Sequence, residues 1–214
     1  MQQVNIDDHT KELDILANIC QANLNNSDKC KEYLKSRGIS SKAITDFKIG
    51  FFPQNVSTLI KYVSDETLRK LTIIDYSENS YFSDFFYLVF PIISEYGDTE
   101  AIAGRTLLGD NEREVLGLPK YKNSSYKKSR NLYGLNLARP YILERQNVFV
   151  VEGQLDTITM HDNGICNTVA ICGASFSKRH FLSIAKYTNK ITFVMDNDEA
   201  GLKAARTIKK KFSN

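Results

Sequence analysis

The sequence predicts an α/β protein, an α+β N-terminal part followed by a parallel sheet, and three observations carry that reading. From Asn147 onward short apolar runs alternate with helical patterns: "NVFVVE", "QLDTITMHDNG", "NTVAIC", a helix from Ser177 to Lys186, "KITFVMD", then Glu199 to Phe212. Strand–helix alternation with apolar strands implies parallel strands buried on both faces. Near the start, Lys11 to Leu24 carries Leu13, Leu16, Ala17, Cys20 and Leu24 at helical spacing. Between these regions, "FSDFFYLVFPII" and "EAIAGRTLL" flank Gly97-Asp98 and read as two strands joined by a turn.

The remaining elements follow from local signals. Asn26-Ser27-Asp28 offers an N-cap for a helix from Lys29 to Ser36 that Gly38 ends, and Ser40 or Ser41 caps a short helix through Phe47. "KIGFFPQN" reads as a loop, with short helices after it at Ser57–Val63 and Asp65–Leu71. Pro91 places an edge or a bulge within its strand, because proline cannot donate to a ladder. Gly109 to Asn131 is polar and reads as one long irregular loop. "GAS", after "NTVAIC", is a tight turn. The expected domains are residues 1–145, helical and mixed α+β with a basic surface, and residues 146–214, holding the parallel sheet.

The 214 residues carry a net charge of +3, which permits a nucleic-acid partner without arguing for one. The N-terminus has no basic segment followed by an apolar one, and no apolar run approaches membrane-spanning length, so a cytoplasmic protein without a membrane partner is expected. The four cysteines form no CxxC pair, so no zinc is expected and reduced thiols are the simpler reading. His9, His161 and His180 do not cluster and receive no role.

The acids carry the chemistry. Glu152 closes the first strand of the parallel sheet in "VVEGQLD", and Asp196 and Asp198 close the third in "FVMDNDEAG". Strand C-termini share one rim of a parallel sheet, so these three should converge there, and Asp156 lies one turn into the next helix. Hard oxygen ligands of this kind suit Mg²⁺ or Mn²⁺. Strand-end aspartates also occur as plain helix-start residues, and Glu199 is read that way. With Glu152-Gly153 added, the set points to a metal site. The Lys209-Lys210-Lys211 run sits at a helix C-terminus, where the dipole accounts for it.

The Glu-Gly and Asp-x-Asp motifs, with "AICGAS" between them, resemble the Toprim fold, a Rossmann-like parallel sheet. "CKEYLKSRGISSKAITDFKIGFFP", "LVFPIISEYGDTEAIAGRTL" and "LPKYKNSS…KKSRNLYGLNLAR" resemble, in order, the catalytic core of the DnaG-type bacterial and phage primases. Ala103 stands where that family has the first glycine of Gly-Gly-Arg. The resemblance implies a DNA-directed RNA polymerase of primase type, making short RNA primers from nucleoside triphosphates on single-stranded DNA by metal-dependent nucleotidyl transfer. It implies Glu152, Asp196 and Asp198 as catalytic residues, the same three with Asp156 as metal ligands, and Arg105, Lys120, Asn123, Ser124 and Lys128 as contacts for nucleic acid or nucleotide. It also implies a location in a bacterial cell, or in a host's cytoplasm for a phage- or plasmid-encoded protein. Such primases further carry a zinc-binding domain, a helicase-binding domain and an Asp-Pro-Asp-like motif after the last Toprim helix. The expectation is therefore a core ending short of that motif, completed by a replicative helicase or by a separate zinc-binding or C-terminal subunit. Two other readings stand beside it, a Toprim nuclease and a non-catalytic binding module.

Overall fold

A computed structural model describes residues 6–75, 77, 79–173 and 175–212. The chain forms two compact units, one of residues up to Ile93 with Gly97–Tyr126, the other of Lys127 onward with Ser94–Tyr96.

The first unit opens with α1 (Ile6–Asn23), whose Leu13, Leu16, Ala17 and Cys20 are buried as their spacing requires. Ser27 and Ser40 accept from the amides of Cys30 and Ala43 and so start α2 (Asp28–Ser36) and α3 (Ser41–Asp46). The predicted loop "KIGFFPQN" contains a strand, β1 (Gly50–Phe51). Its only signal is backbone pairing and close approach: a Cβ at Gly50 would lie 2.6 Å from the Gln21 amide nitrogen. The predicted helix at Ser57–Val63 shortens to a 3₁₀ turn at Val56–Thr58, and α4 (Asp65–Lys70) follows with Ser64 as its cap.

"FSDFFYLVFPII" is not one strand. Ser80 accepts from the Phe82 amide at 3.2 Å and starts a short helix, α5 (Tyr81–Asp84), before β2 (Leu88–Ile93). Phe82 and Phe86, four residues apart, are both buried, so the aromatic run serves a helical face first. β3 (Thr99–Arg105) pairs with β2 across the Gly97 turn. Pro91 sits where expected: β1 pairs only with Leu88 and Val89, leaving that edge of β2 without a strand partner at residue 91, and a register shift follows at Ile92/Ile93. The predicted loop from Gly109 to Asn131 is instead structured. It holds α6 (Asp110–Val115), held by the Gly109 amide donating to Glu112, and β4 (Tyr121–Asn123), which pairs with β3. The antiparallel order is β1-β2-β3-β4. Gly104 lets α5 approach β3, since a Cβ there would lie 2.8 Å from the Phe86 Cβ and would collide with the Phe86 carbonyl.

The second unit contains a helix the periodicity reading left out, α7 (Leu135–Arg145). Leu135, Ala138 and Ile142 are its buried stripe, and Pro140 inside it conceals the pattern. This helix packs in the same core as β5 (Val148–Val151), so the compact unit begins upstream of residue 146. Then follow α8 (Gln154–Asp162), β6 (Thr168–Ala170), α9 (Lys178–Ala185), β7 (Ile191–Phe193) and α10 (Glu199–Phe212). The sheet is parallel in the order β6-β5-β7. Of the two edge strands, β6 is buried throughout whereas Thr192 of β7 is exposed, so burial on both faces fails only at the β7 edge. Cys172 and Gly173 both take positive φ at the predicted tight turn, whose Ala174 lies outside the described residues.

His180, which sequence spacing left without a role, is fully buried. Its Nδ1 accepts from the Ser177 amide at 3.3 Å, so Nε2 carries the proton and donates to the Lys128 carbonyl at 2.9 Å. The Ser177 hydroxyl donates to the Ser129 carbonyl at 2.7 Å, and together the two bonds fix the segment around Lys128. Burial holds His180 below its ordinary range, against the raising effect of the bonds to Lys128 and Asn131.

Replacing Gly104 by Ala is expected to lower stability by about 3 kcal/mol through overpacking, read from urea unfolding midpoints. His180 binds its proton more weakly folded than unfolded, so its contribution is present above the unfolded pKa of about 6.5 and is lost as pH falls below it. The thermal midpoint should drop between about pH 7 and pH 5.5. His180→Gln should flatten that segment of the profile.

Candidate active site

The C-terminal rim of the parallel sheet collects the acids. β5 runs into Glu152, which is half-buried, and β7 runs toward Asp196, which is exposed. The Asp196 amide donates to Glu152 Oε1 at 3.0 Å, so the two motifs, 44 positions apart, are joined directly. The strands bring them there through the ladder, which the Val194 amide extends to the Val150 carbonyl at 2.9 Å. On the other side the Cys172 amide donates to the Glu152 carbonyl at 2.9 Å.

Gly201 closes this arrangement from α10. A Cβ there would collide with the Asp196 carbonyl and lie 2.9 Å from Glu152 Oε1, so the helix start rests on the acidic loop only because the residue is glycine. Asp198 caps that helix: Oδ1 accepts from the Gly201 amide at 2.7 Å, and its carbonyl accepts from the Leu202 amide at 3.0 Å. Asp156 does the same work for α8, with Oδ2 accepting from the Gly153 amide at 3.0 Å. Thus Asp156 and Asp198 each spend one oxygen on a helix N-terminus and Glu152 spends one on the Asp196 amide. Among the described residues, no group of three His, Cys, Asp or Glu stands close enough to hold one ion. The donors nevertheless suit Mg²⁺ or Mn²⁺ chemically, being hard carboxylate oxygens on a solvent-facing rim. Burial of its thiol pushes Cys172 well above the ordinary cysteine range, which favours the protonated form.

The basic and polar candidates divide between the units. Arg105 ends β3, Lys120 precedes β4 and is exposed, and Asn123 ends β4. Ser124 is buried: its Oγ accepts from the Ile102 amide at 3.0 Å and its own amide donates to the Ile102 carbonyl at 2.9 Å, so it extends the sheet. Lys128 belongs to the second unit, its carbonyl held by His180. Sequence reading overlooked Gly201, whose position in a helical pattern gives no hint of close approach, and His180, whose only signal is its place three residues after a capping serine.

The described residues contain no helix long and apolar enough to cross a membrane. The family described as DNA primase catalytic core, N-terminal domain, matches residues 19–139, and the Toprim-like family matches residues 149–214. The DNA primase of Pseudomonas putida is 34% identical over 196 residues, which cover 86% of this chain and 29% of that protein. A crystal structure of the zinc-binding and RNA polymerase domains of Aquifex aeolicus primase superposes with a TM-score of 0.83 at 27% identity, over 96% of this chain and 52% of that one. A DnaG primase catalytic domain bound to single-stranded DNA superposes with a TM-score of 0.76 at 28% identity, over 93% of this chain and 66% of that one. The chain thus spans less than a third of the length of the Pseudomonas putida relative. With its N-terminal part and its acid-bearing sheet matched in order to the two halves of one catalytic core, this chain belongs to the DnaG-type DNA primase family.

Proposed function

We propose that this chain is a primase catalytic core that makes short RNA primers on single-stranded DNA by nucleotidyl transfer. The observation that carries the proposal is the bond from the Asp196 amide to the Glu152 carboxylate, which joins the two acidic motifs at the rim of the parallel sheet. In this reading Glu152, Asp196 and Asp198 hold Mg²⁺ or Mn²⁺, with Asp156 beside them. A bound ion of this kind supplies charge stabilisation to the attacking and leaving oxygens of phosphoryl transfer.

The chain's own residues do the positioning. Glu152 is itself positioned by the Asp196 amide, and Asp198 ties the acidic loop to α10. Arg105, Lys120 and Lys128 engage phosphate charge, and Asn123 adds a polar contact. Ser124 serves by fixing β4 against β3, since its hydroxyl is spent on Ile102. Template, nucleoside triphosphates and RNA product are the proposed partners. A replicative helicase, or a zinc-binding or C-terminal polypeptide, would complete the system, and no zinc is assigned to this chain. The related catalytic domain bound to single-stranded DNA supports the choice of template.

Template-dependent incorporation of labelled nucleoside triphosphates on single-stranded DNA, with Mg²⁺ or Mn²⁺, tests the proposal. Oligoribonucleotide products are expected, and Asp196→Ala should reduce them by at least about a hundredfold while leaving the thermal midpoint unchanged. Template degradation without synthesis would replace the primase by a nuclease. Metal and DNA binding without any turnover would make it a binding module. DNA affinity should also fall steeply with salt, with a log–log slope of roughly −2 to −3 for three or four phosphate contacts on a single strand.

A further inference from the structure

Among the described residues of the first unit, three polar side-chain atoms are buried without a hydrogen-bond partner: Arg105 Nε, the Tyr33 hydroxyl and Asn123 Oδ1. The register places two of them together. Arg105 pairs with Tyr121 and Ala103 with Asn123, so Arg105, Tyr121 and Asn123 project from one face of the sheet, while Gly104 and Lys122 take the other. On that second face Lys122 lies over the Tyr81 ring at 4.8 Å. Tyr33 belongs to α2, on the same side as the buried Cys30 and Leu34.

The Arg105 guanidinium carbon lies 5.1 Å from the centroid of the Tyr33 ring and 5.1 Å from that of Tyr121. Its Nη1 donates to the Tyr121 hydroxyl at 2.9 Å. A cation between two aromatic rings is attracted by both and loses its rotational freedom. The unpaired Nε–H costs folding free energy, so the arrangement is poorly explained as a stabilising device. What it secures is direction. Nη1 is committed to Tyr121 and Nε is enclosed, which leaves Nη2 as the guanidinium nitrogen not otherwise committed. We propose that Tyr33 is a positioning residue for Arg105, its ring and that of Tyr121 clamping the guanidinium so that one fixed edge meets a phosphate of nucleic acid or nucleotide. This rests on the reading of Arg105 as such a contact. The Tyr33 hydroxyl is buried without a partner, so the ring alone does the work.

Binding of a fluorescein-labelled single-stranded oligodeoxynucleotide to the 214-residue chain, followed by anisotropy at low salt, tests the clamp. Arg105→Ala should weaken binding about tenfold and Tyr33→Leu about fivefold, whereas Tyr33→Phe should stay within about twofold of the unmodified chain. Adding Tyr33→Leu to Arg105→Ala should cost nothing further, because the ring acts through the guanidinium. If Tyr33→Leu does not fold, Tyr121→Leu removes the other ring together with the Nη1 acceptor and should show at least the same loss and the same non-additivity. A Tyr33→Phe loss as large as that of Tyr33→Leu, or full additivity with Arg105→Ala, overturns the clamp and leaves the role of Arg105 standing. Unmodified affinity in Arg105→Ala overturns the role of Arg105, and the clamp with it.

Discussion

The rim of the second unit is organised by a hydrogen bond between a carboxylate and a backbone amide, Glu152 to Asp196. A glutamate turned toward other acids is costly unless something accepts its orientation and offsets its charge. The Asp196 amide does both, and the parallel pairing of β5 with β7 delivers that amide to the right place. Gly201 then decides whether the helix can start where it does. Any side chain at that position would meet the Asp196 carbonyl, so the acidic loop, the strand end and the helix start form one unit of constraint.

The same economy governs the other acids. Asp156 and Asp198 each give one oxygen to a helix N-terminus and keep the other for the proposed ligand role. Capping holds each carboxylate at a known place without enclosing it, which suits the proposed role of meeting an ion at the surface. A related logic applies to cations, Arg105 in the first unit and Lys128 in the second. Arg105 is oriented by aromatic rings, and Lys128 by a histidine that grips its carbonyl while leaving its side chain to other uses.

Departures from the sequence reading share a cause. β1 was invisible because two residues carry no periodicity, and its reason for existing is Gly50 against the backbone of α1. α5 reads as strand because Phe82 stands just ahead of a run, Phe85 to Ile93, that is continuously apolar or aromatic, and length alone does not separate a buried helical turn from a strand. α7 was missed because Pro140 breaks the local signal while packing of Leu135, Ala138 and Ile142 restores the helix. The polar stretch after Gly109 was read as a loop because β4 is half-buried and its partner β3 lies far enough back in the chain to leave no local trace.

Local chemistry was enough to determine the strand–helix alternation of the second unit, the places where helices are capped, the turn at Gly97 and the acids at the strand ends. Each depends on neighbours within a few residues or on a strand's own alternation. Tertiary structure alone decided that Glu152 accepts from Asp196, that Ser124 bonds inside the sheet, that His180 fixes the Lys128 segment, and that Arg105 lies 5.1 Å from the rings of both Tyr33 and Tyr121. These are contacts between residues 16 to 72 positions apart or more closely tied by register than by spacing, and only the packed chain brings their atoms within bonding distance.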